Sequence, residues 1–95
     1  MPVDKQFKVS AIVPLFNGER FISESVGSLL SQTHPIDEII VIDDKSTDRG
    51  LEKVQKLTET NETVKLLRNS VNKGSSHCRN LGIKESSGDY VLFLD

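Results

Sequence analysis

Asp43 and Asp44 stand directly behind four apolar residues, Ile39, Ile40, Val41 and Ile42, and ahead of Lys45, Ser46, Thr47 and Asp48. A carboxylate that close to a buried run is expected to emerge at a rim, where water or a ligand satisfies it. Placed there, it can accept from the N–H edge of a nucleobase or from ribose hydroxyls. A second cluster, Pro14, Leu15, Phe16, Asn17 and Gly18, also follows an apolar run, and the face of Phe16 is suited to stacking on a base. A third brings Asn72, Lys73, Gly74, Ser75 and Arg79 to the start of a helix, where backbone N–H groups and two cations suit a diphosphate. Asp95 follows a fourth apolar run. Each cluster also has a plainer reading. Ser46 or Asp48 is then a helix cap with the other acids in a solvated loop, Gly74 a turn residue, Ser75 a cap and Arg79 a surface side chain. His77 reads as a helix residue rather than a base, Cys78 as core and His34 as turn. Neither G-x-G-x-x-G nor G-x-x-x-x-G-K-[ST] occurs, which argues against a dinucleotide fingerprint or a P-loop.

These clusters need elements to hold them, and the apolar pattern supplies a regular series. Runs with β-branched character at residues 9–13, 39–42, 64–67 and 90–94 read as strands, starting 25 to 30 residues apart, the length of a strand with its crossover helix. The first, second and fourth are apolar on consecutive positions, as in parallel strands covered on both faces. The third, Val64, Lys65, Leu66, Leu67 and Arg68, is mixed and suits a sheet edge. Between strands, Ile22, Val26, Leu29 and Leu30 form one stripe of a helix over about 19–32, stopped at His34 and Pro35. Leu51, Val54 and Leu57 mark a second helix, with Thr47 or Asp48 at its start and 58–63 as a polar exit loop. A third over 75–85 turns Cys78, Leu81 and Ile83 inward. The pattern β-α-β-α-β-α-β with right-handed crossovers predicts a three-layer α/β/α, Rossmann-like parallel sheet in the order 3-2-1-4. Ligands bind such sheets beyond the carboxyl ends of the strands, where all four clusters fall.

Composition narrows the function further. The 95 residues suffice for one domain and rule out two independent cores. Twelve basic and fourteen acidic residues, spread along the chain, give a formal charge of −2 and no stripe for nucleic acid. A single cysteine excludes an internal disulfide and a multi-cysteine zinc cluster, and fits a reducing compartment. No secretory signal and no apolar run long enough to span a bilayer is present in these residues.

With the strand ends placed, the sequence resembles the N-terminal half of the catalytic domain of family 2 glycosyltransferases, which have the GT-A fold. The matching stretches are V-S-A-I-V-P-L-F-N from Val9, S-Q-T from Ser31, D-E-I-I-V-I-D-D-K-S-T-D from Asp37, N-K-G from Asn72 with Arg79 and Asn80, and G-D-Y-V-L-F-L-D from Gly88. Their order and coverage carry more weight than any one of them. The resemblance implies binding of a nucleoside-diphosphate sugar and inverting transfer to an acceptor hydroxyl, with Mg²⁺ or Mn²⁺ on the diphosphate. Polysaccharide biosynthesis, in the cytoplasm or at the cytoplasmic face of a membrane, is the implied setting. It places Pro14, Phe16 and Asn17 beside the nucleobase, Asp44 on the base N–H, Asp43 in support of the loop and Arg79 towards the diphosphate. Asp95 falls on the first acid of the D-x-D motif, contacting ribose and metal. Residues 1–95 are therefore expected to be the donor-binding part of a larger domain cut at that acid, inactive without a downstream base. Lys45 stands where the family often has glycine, so the loop either avoids a positive φ or gains a cation near the phosphates. A different class, a small α/β nucleotide- or Mg²⁺-binding signalling module, would place its acids after the first strand rather than the second. The fourth strand, left with an open apolar edge, is expected to pair with a second copy as an antiparallel homodimer.

Overall fold

The computed structural model describes residues 7–94. Strands β1 (Val9–Leu15), β2 (Glu38–Asp43), β3 (Val64–Arg68) and β4 (Tyr90–Phe93) alternate with helices α1 (Ile22–Leu30), α2 (Gly50–Thr60) and α3 (Ser75–Glu85). The sheet runs β3-β2-β1-β4 with every pair parallel, as the sequence predicts. No helix among the described residues is long and apolar enough to cross a membrane.

Strand alternation divides the core between two faces. Ala11, Val13 and Leu15 of β1 with Ile39 and Val41 of β2 meet Ile22, Val26 and Leu29 of α1 and Val54 of α2. Ile12, Ile40 and Ile42 face the other way, onto Cys78 and Leu81 of α3. Every residue of β2 is buried, so this strand, covered on both faces and paired on both edges, is the axis of the layers. Each fully buried Ile or Val contributes about 1.5–3 kcal/mol, which is why these consecutive apolar residues fix the sheet centre. Gly82 lets α3 approach closely, since a Cβ there would sit 2.5 Å from Ile12 Cγ2.

Several expectations shift. β4 is not covered on both faces: Tyr90, Leu92 and Phe93 are 62%, 37% and 45% exposed, because β4 has β1 on one side and, among the described residues, no strand on the other. Tyr90 instead packs edge-on against Phe7, ring centroids 4.9 Å apart. Leu30 and Ile83 point outward, being one position off their buried stripes. Helix α1 is shorter than its pattern because Gly18 O accepts from both Phe21 N and Ile22 N in a tight turn. Helix α2 runs to Thr60, three residues into the expected exit loop, and the Thr58 hydroxyl bonds back to Gln55 O. Its N-cap position is Arg49 rather than Thr47 or Asp48, although Asp48 Oδ1 accepts from Gly50 N at 2.9 Å.

At the amino-terminal pole of the sheet Glu38 is 3% exposed. Its Oε1 accepts from Ser10 Oγ and Ser87 N, both at 2.6 Å, and its Oε2 from Lys65 Nζ at 2.8 Å. Ser10 Oγ in turn accepts from Gly88 N. This node ties β1, β2, β3 and the α3–β4 turn together. Burial pushes the Glu38 carboxyl up, but the bonds from Lys65, Ser10 and Ser87 outweigh it and bring it down to about 2 from 4.5. A depressed acid stabilises the fold above its unfolded value and loses that contribution as pH falls through the folded one. The stability gap between the wild type and Glu38→Gln, at most about 3 kcal/mol at neutral pH, is therefore expected to shrink between about pH 4.5 and pH 2. Urea denaturation at stepped pH reads it; a gap that stays constant across that window refutes it.

Candidate functional site

The carboxyl ends of the strands build a cleft between the β1–α1 loop and the start of α3. Pro14, Leu15 and Phe16 line one wall, Ser75 and Cys78 the other, and Asp44 also faces it. Its volume is about 210 Å³, below the roughly 300–1,000 Å³ of pockets for drug-sized ligands, so it fits a ring rather than a whole nucleotide sugar. Phe16 is 55% exposed, an aromatic face kept in solvent beside the cleft. A neighbouring hollow of about 240 Å³ lies on the α1 side of Phe16, against Phe21 and Ile22.

Asp44 does not emerge into water as its position predicts; it is 4% exposed. The β3–α3 loop folds over it and supplies the donors. Asn69 Nδ2 and Lys73 N donate to Oδ1 at 2.9 and 2.8 Å, and Gly74 N donates to Oδ2 at 2.8 Å. Gly74 has φ 92°, a conformation that glycine adopts without a Cβ penalty and that aims its N–H at the carboxylate. Burial pushes the Asp44 carboxyl up, but the bonds from Asn69, Lys73 and Gly74 outweigh it, holding it below the ordinary value. The group is an acceptor at neutral pH. Burial, then the neighbouring Asp44 charge, pushes the Cys78 thiol up, so it stays protonated.

Asp43 is also buried, at 2% exposure, and serves the loop: both its oxygens lie 3.3 Å from Ser46 N. Asn17 does not line the cleft. Its Oδ1 accepts from Thr47 N at 2.8 Å and Asp48 N at 3.3 Å, and its own N–H donates to Ser46 Oγ, so it staples the β1–α1 loop to the β2–α2 loop. Glu19 N and Asp48 Oδ2 add a second staple at 3.0 Å. Arg79 is half-buried on α3, outside the cleft lining, and Asp95 lies outside the described residues. The structure thus brings Pro14, Phe16 and Asp44 together, sets Asn17 and Asp43 behind them as supports, and leaves Arg79 apart. Asn69, the first residue after β3, was legible as lying at a strand's carboxyl end, but the sequence assigned it no role. Among the described residues no three His, Cys, Asp or Glu side chains converge on a cation site.

Lys45 settles one alternative: its φ is 64°, so the loop takes the left-handed turn without a glycine. For a residue with a Cβ that conformation costs about 1–2 kcal/mol, partly offset in any glycine variant by the larger chain entropy of unfolded glycine. Lys45→Gly is expected to raise stability by up to about 1 kcal/mol and Lys45→Val to lower it, measured as urea midpoints. Equal midpoints for both variants would show that the turn is unstrained.

Comparison with known proteins fits this geometry. The family model described as glycosyl transferase family 2 matches residues 10–95. A UDP-Glc:alpha-D-GlcNAc-diphosphoundecaprenol beta-1,3-glucosyltransferase of Escherichia coli is 39% identical over 94% of this chain. TarS of S. aureus, solved in complex with UDP, superposes with a TM-score of 0.82 at 37% identity, over 93% of this chain and 27% of the solved one. The mannosyltransferase PcManGT of Pyrobaculum calidifontis, solved with GDP-Man and Mn²⁺, gives 0.83 at 27% identity, with the same coverage of both chains. The chain spans no more than 35% of the length of these curated relatives and others like them that it matches. A parallel sheet in the order 3-2-1-4, an acid pair at the end of its second strand and a family match over nearly every residue agree: the chain belongs to glycosyl transferase family 2.

Proposed function

We propose that this chain forms the nucleobase-binding part of a glycosyltransferase donor site, serving inverting transfer of a sugar from a nucleoside diphosphate to an acceptor hydroxyl. The observation that carries the reading is an ionised carboxylate, Asp44, facing a ring-sized cleft walled by Pro14 and Phe16. A planar base with an N–H on its edge matches that lining: Phe16 offers a face and Asp44 an acceptor. The similarity to proteins solved with UDP, UDP-GlcNAc and GDP-Man supports the same ligand class. Arg79 on α3 is the proposed neighbour of the diphosphate, and a reducing, cytoplasmic setting suits the lone thiol. Asp95 is the acid proposed for ribose and for Mg²⁺ or Mn²⁺. The described residues alone do not make a cation site, so base binding is assigned to the protein side chains without a metal. Neither titratable group of the cleft suits a general base: the Asp44 carboxyl is held below its ordinary value by three N–H donors and the Cys78 thiol is protonated.

Titration calorimetry and NMR with UDP and GDP test this. Binding is expected to perturb the Phe16 and Asp44 resonances, to survive EDTA, and to weaken about tenfold in Phe16→Ala, since stacking on an aromatic ring is worth about 1–3 kcal/mol. Phe16 is too exposed for that change to cost much stability. Absence of any shift at Phe16 or Asp44 at millimolar nucleotide sinks the reading. Sugar transfer by these 95 residues alone is not expected, and measurable release of UDP from UDP-sugar with product formation would place the base inside this chain.

Self-association is proposed through β4, whose exposed Leu92 and Phe93 flank backbone groups unpaired with any other described strand. An isologous antiparallel pair would satisfy them. Light scattering over a concentration series is expected to show a dimer that Leu92→Lys returns to monomer; a strict monomer at several hundred micromolar argues the reverse.

A further inference from the structure

The way Asp44 is already used restricts what it has left for a ligand. A carboxylate offers about four acceptor positions, two on each oxygen. Oδ1 takes the Asn69 side-chain N–H and the Lys73 backbone N–H, which fills it, while Oδ2 takes only the Gly74 N–H. One strong position remains, on Oδ2, in a residue that lines the cleft. The Cys78 thiol also interacts with this carboxylate, but S–H is a weak donor that a base N–H outcompetes. Asn69 itself is fixed by the sheet rather than by its side chain, because its backbone N–H donates to Asp43 O at 2.8 Å. Its amide is therefore free to serve Asp44, and its other contact there is Cys78 Sγ at 3.5 Å.

On the reading of the cleft as a nucleobase site, we propose that Asn69 is a specificity-determining positioning residue: by occupying Oδ1 it limits Asp44 to one N–H and so favours uracil over guanine. Uracil presents a single ring N–H between two carbonyls. Guanine presents two adjacent donors, N1–H and N2–H, that a free carboxylate would take one on each oxygen. With Oδ1 filled, the second donor enters the cleft without a partner, and an unsatisfied buried donor is expected to weaken GDP about tenfold or more relative to UDP. Cytosine and adenine turn a bare ring nitrogen towards the carboxylate, and two acceptors repel. CDP and ADP should therefore bind weakest.

Calorimetric titration of the wild type with UDP, GDP and CDP, repeated on Asn69→Leu and Asn69→Ser, tests it. The wild type is expected to prefer UDP by about tenfold, Asn69→Leu to bring the UDP and GDP constants within about threefold, and Asn69→Ser, which keeps a donor, to retain most of the preference. Equal UDP and GDP binding by the wild type overturns the proposal while leaving the donor-site reading intact. A parallel loss of both in Asn69→Leu, with the ratio unchanged, also overturns it and makes Asn69 purely structural. Wild type that binds no nucleotide overturns the donor-site reading and this one with it. NMR of the wild type gives a readout independent of any variant folding. UDP is expected to move the Gly74 amide and leave the Asn69 side-chain amide in place, and the opposite pattern counts against the proposal.

Discussion

Asp44 is the constraint on which this end of the molecule turns. A carboxylate buried to 4% exposure is tolerable only if donors replace its water, and here the donors come from the β3–α3 loop. The loop has no other strong reason to adopt its path, since Ser70, Val71, Asn72 and Lys73 are exposed and none of them joins the apolar core. The acid therefore folds the loop as much as the loop satisfies the acid. Asn72 Nδ2 adds a bond to the Asp44 backbone carbonyl, so both ends of one residue draw the loop inward. Because α3 begins at Ser75, the wall of the cleft is positioned by the same carboxylate that faces it.

A second buried acid, Glu38, stands at the opposite end of the same strand and obeys the same physics with a different result. Its partners come from β1, β3 and the turn before β4, and they include a cation, so its lone pairs are spent on holding the sheet together. Lys65 is 57% exposed, which screens the pair and makes the hydrogen bonds the larger part of its value. Among the described residues no buried side-chain polar atom lacks a partner. One acid closes the fold at one pole. The other lines the cleft at the pole where ligands bind parallel sheets.

The layers were legible because they rest on periodicity, which burial enforces directly. Consecutive apolar residues in β1 and β2 required cover on both faces, and the mixed Val64 to Arg68 run required an edge; sheet order followed. β4 misled for the same reason, since its apolar run reports a need for cover that the described residues do not meet. Asp43 was legible as the support of its loop, which its bonds to Ser46 N make it, whereas Asn17 was legible as a site residue but not as a support. Whether a polar side chain faces a ligand or a neighbouring loop depends on backbone turns such as those at Asn17 and Lys45, with φ 52° and 64°, and composition does not encode those angles. Asn69 was legible by place but not by role, because that role is relational: it matters only through a carboxylate 25 residues earlier in the chain.

Helix α3 shows how little side-chain volume the cleft tolerates. Only Cys78 and Gly82 of its residues are buried, so the helix gains little from apolar burial and is placed by close approach instead. At Gly82 a methyl group would meet Ile12, and at Gly88 one would meet Ser10 Oγ, so small residues let the backbone of this segment lie against β1. The same smallness continues to Ser75 and Cys78 at the cleft wall. Two aliphatic side chains there would gain about 1.5–3 kcal/mol each if fully buried, and would do so by filling the space a ring requires. The residues that make α3 a weak packing element are thus the ones that leave a cleft beside Asp44. Its position then depends on Gly74 N–H and Lys73 N–H reaching the carboxylate, which returns the stability of the wall to the acid it encloses.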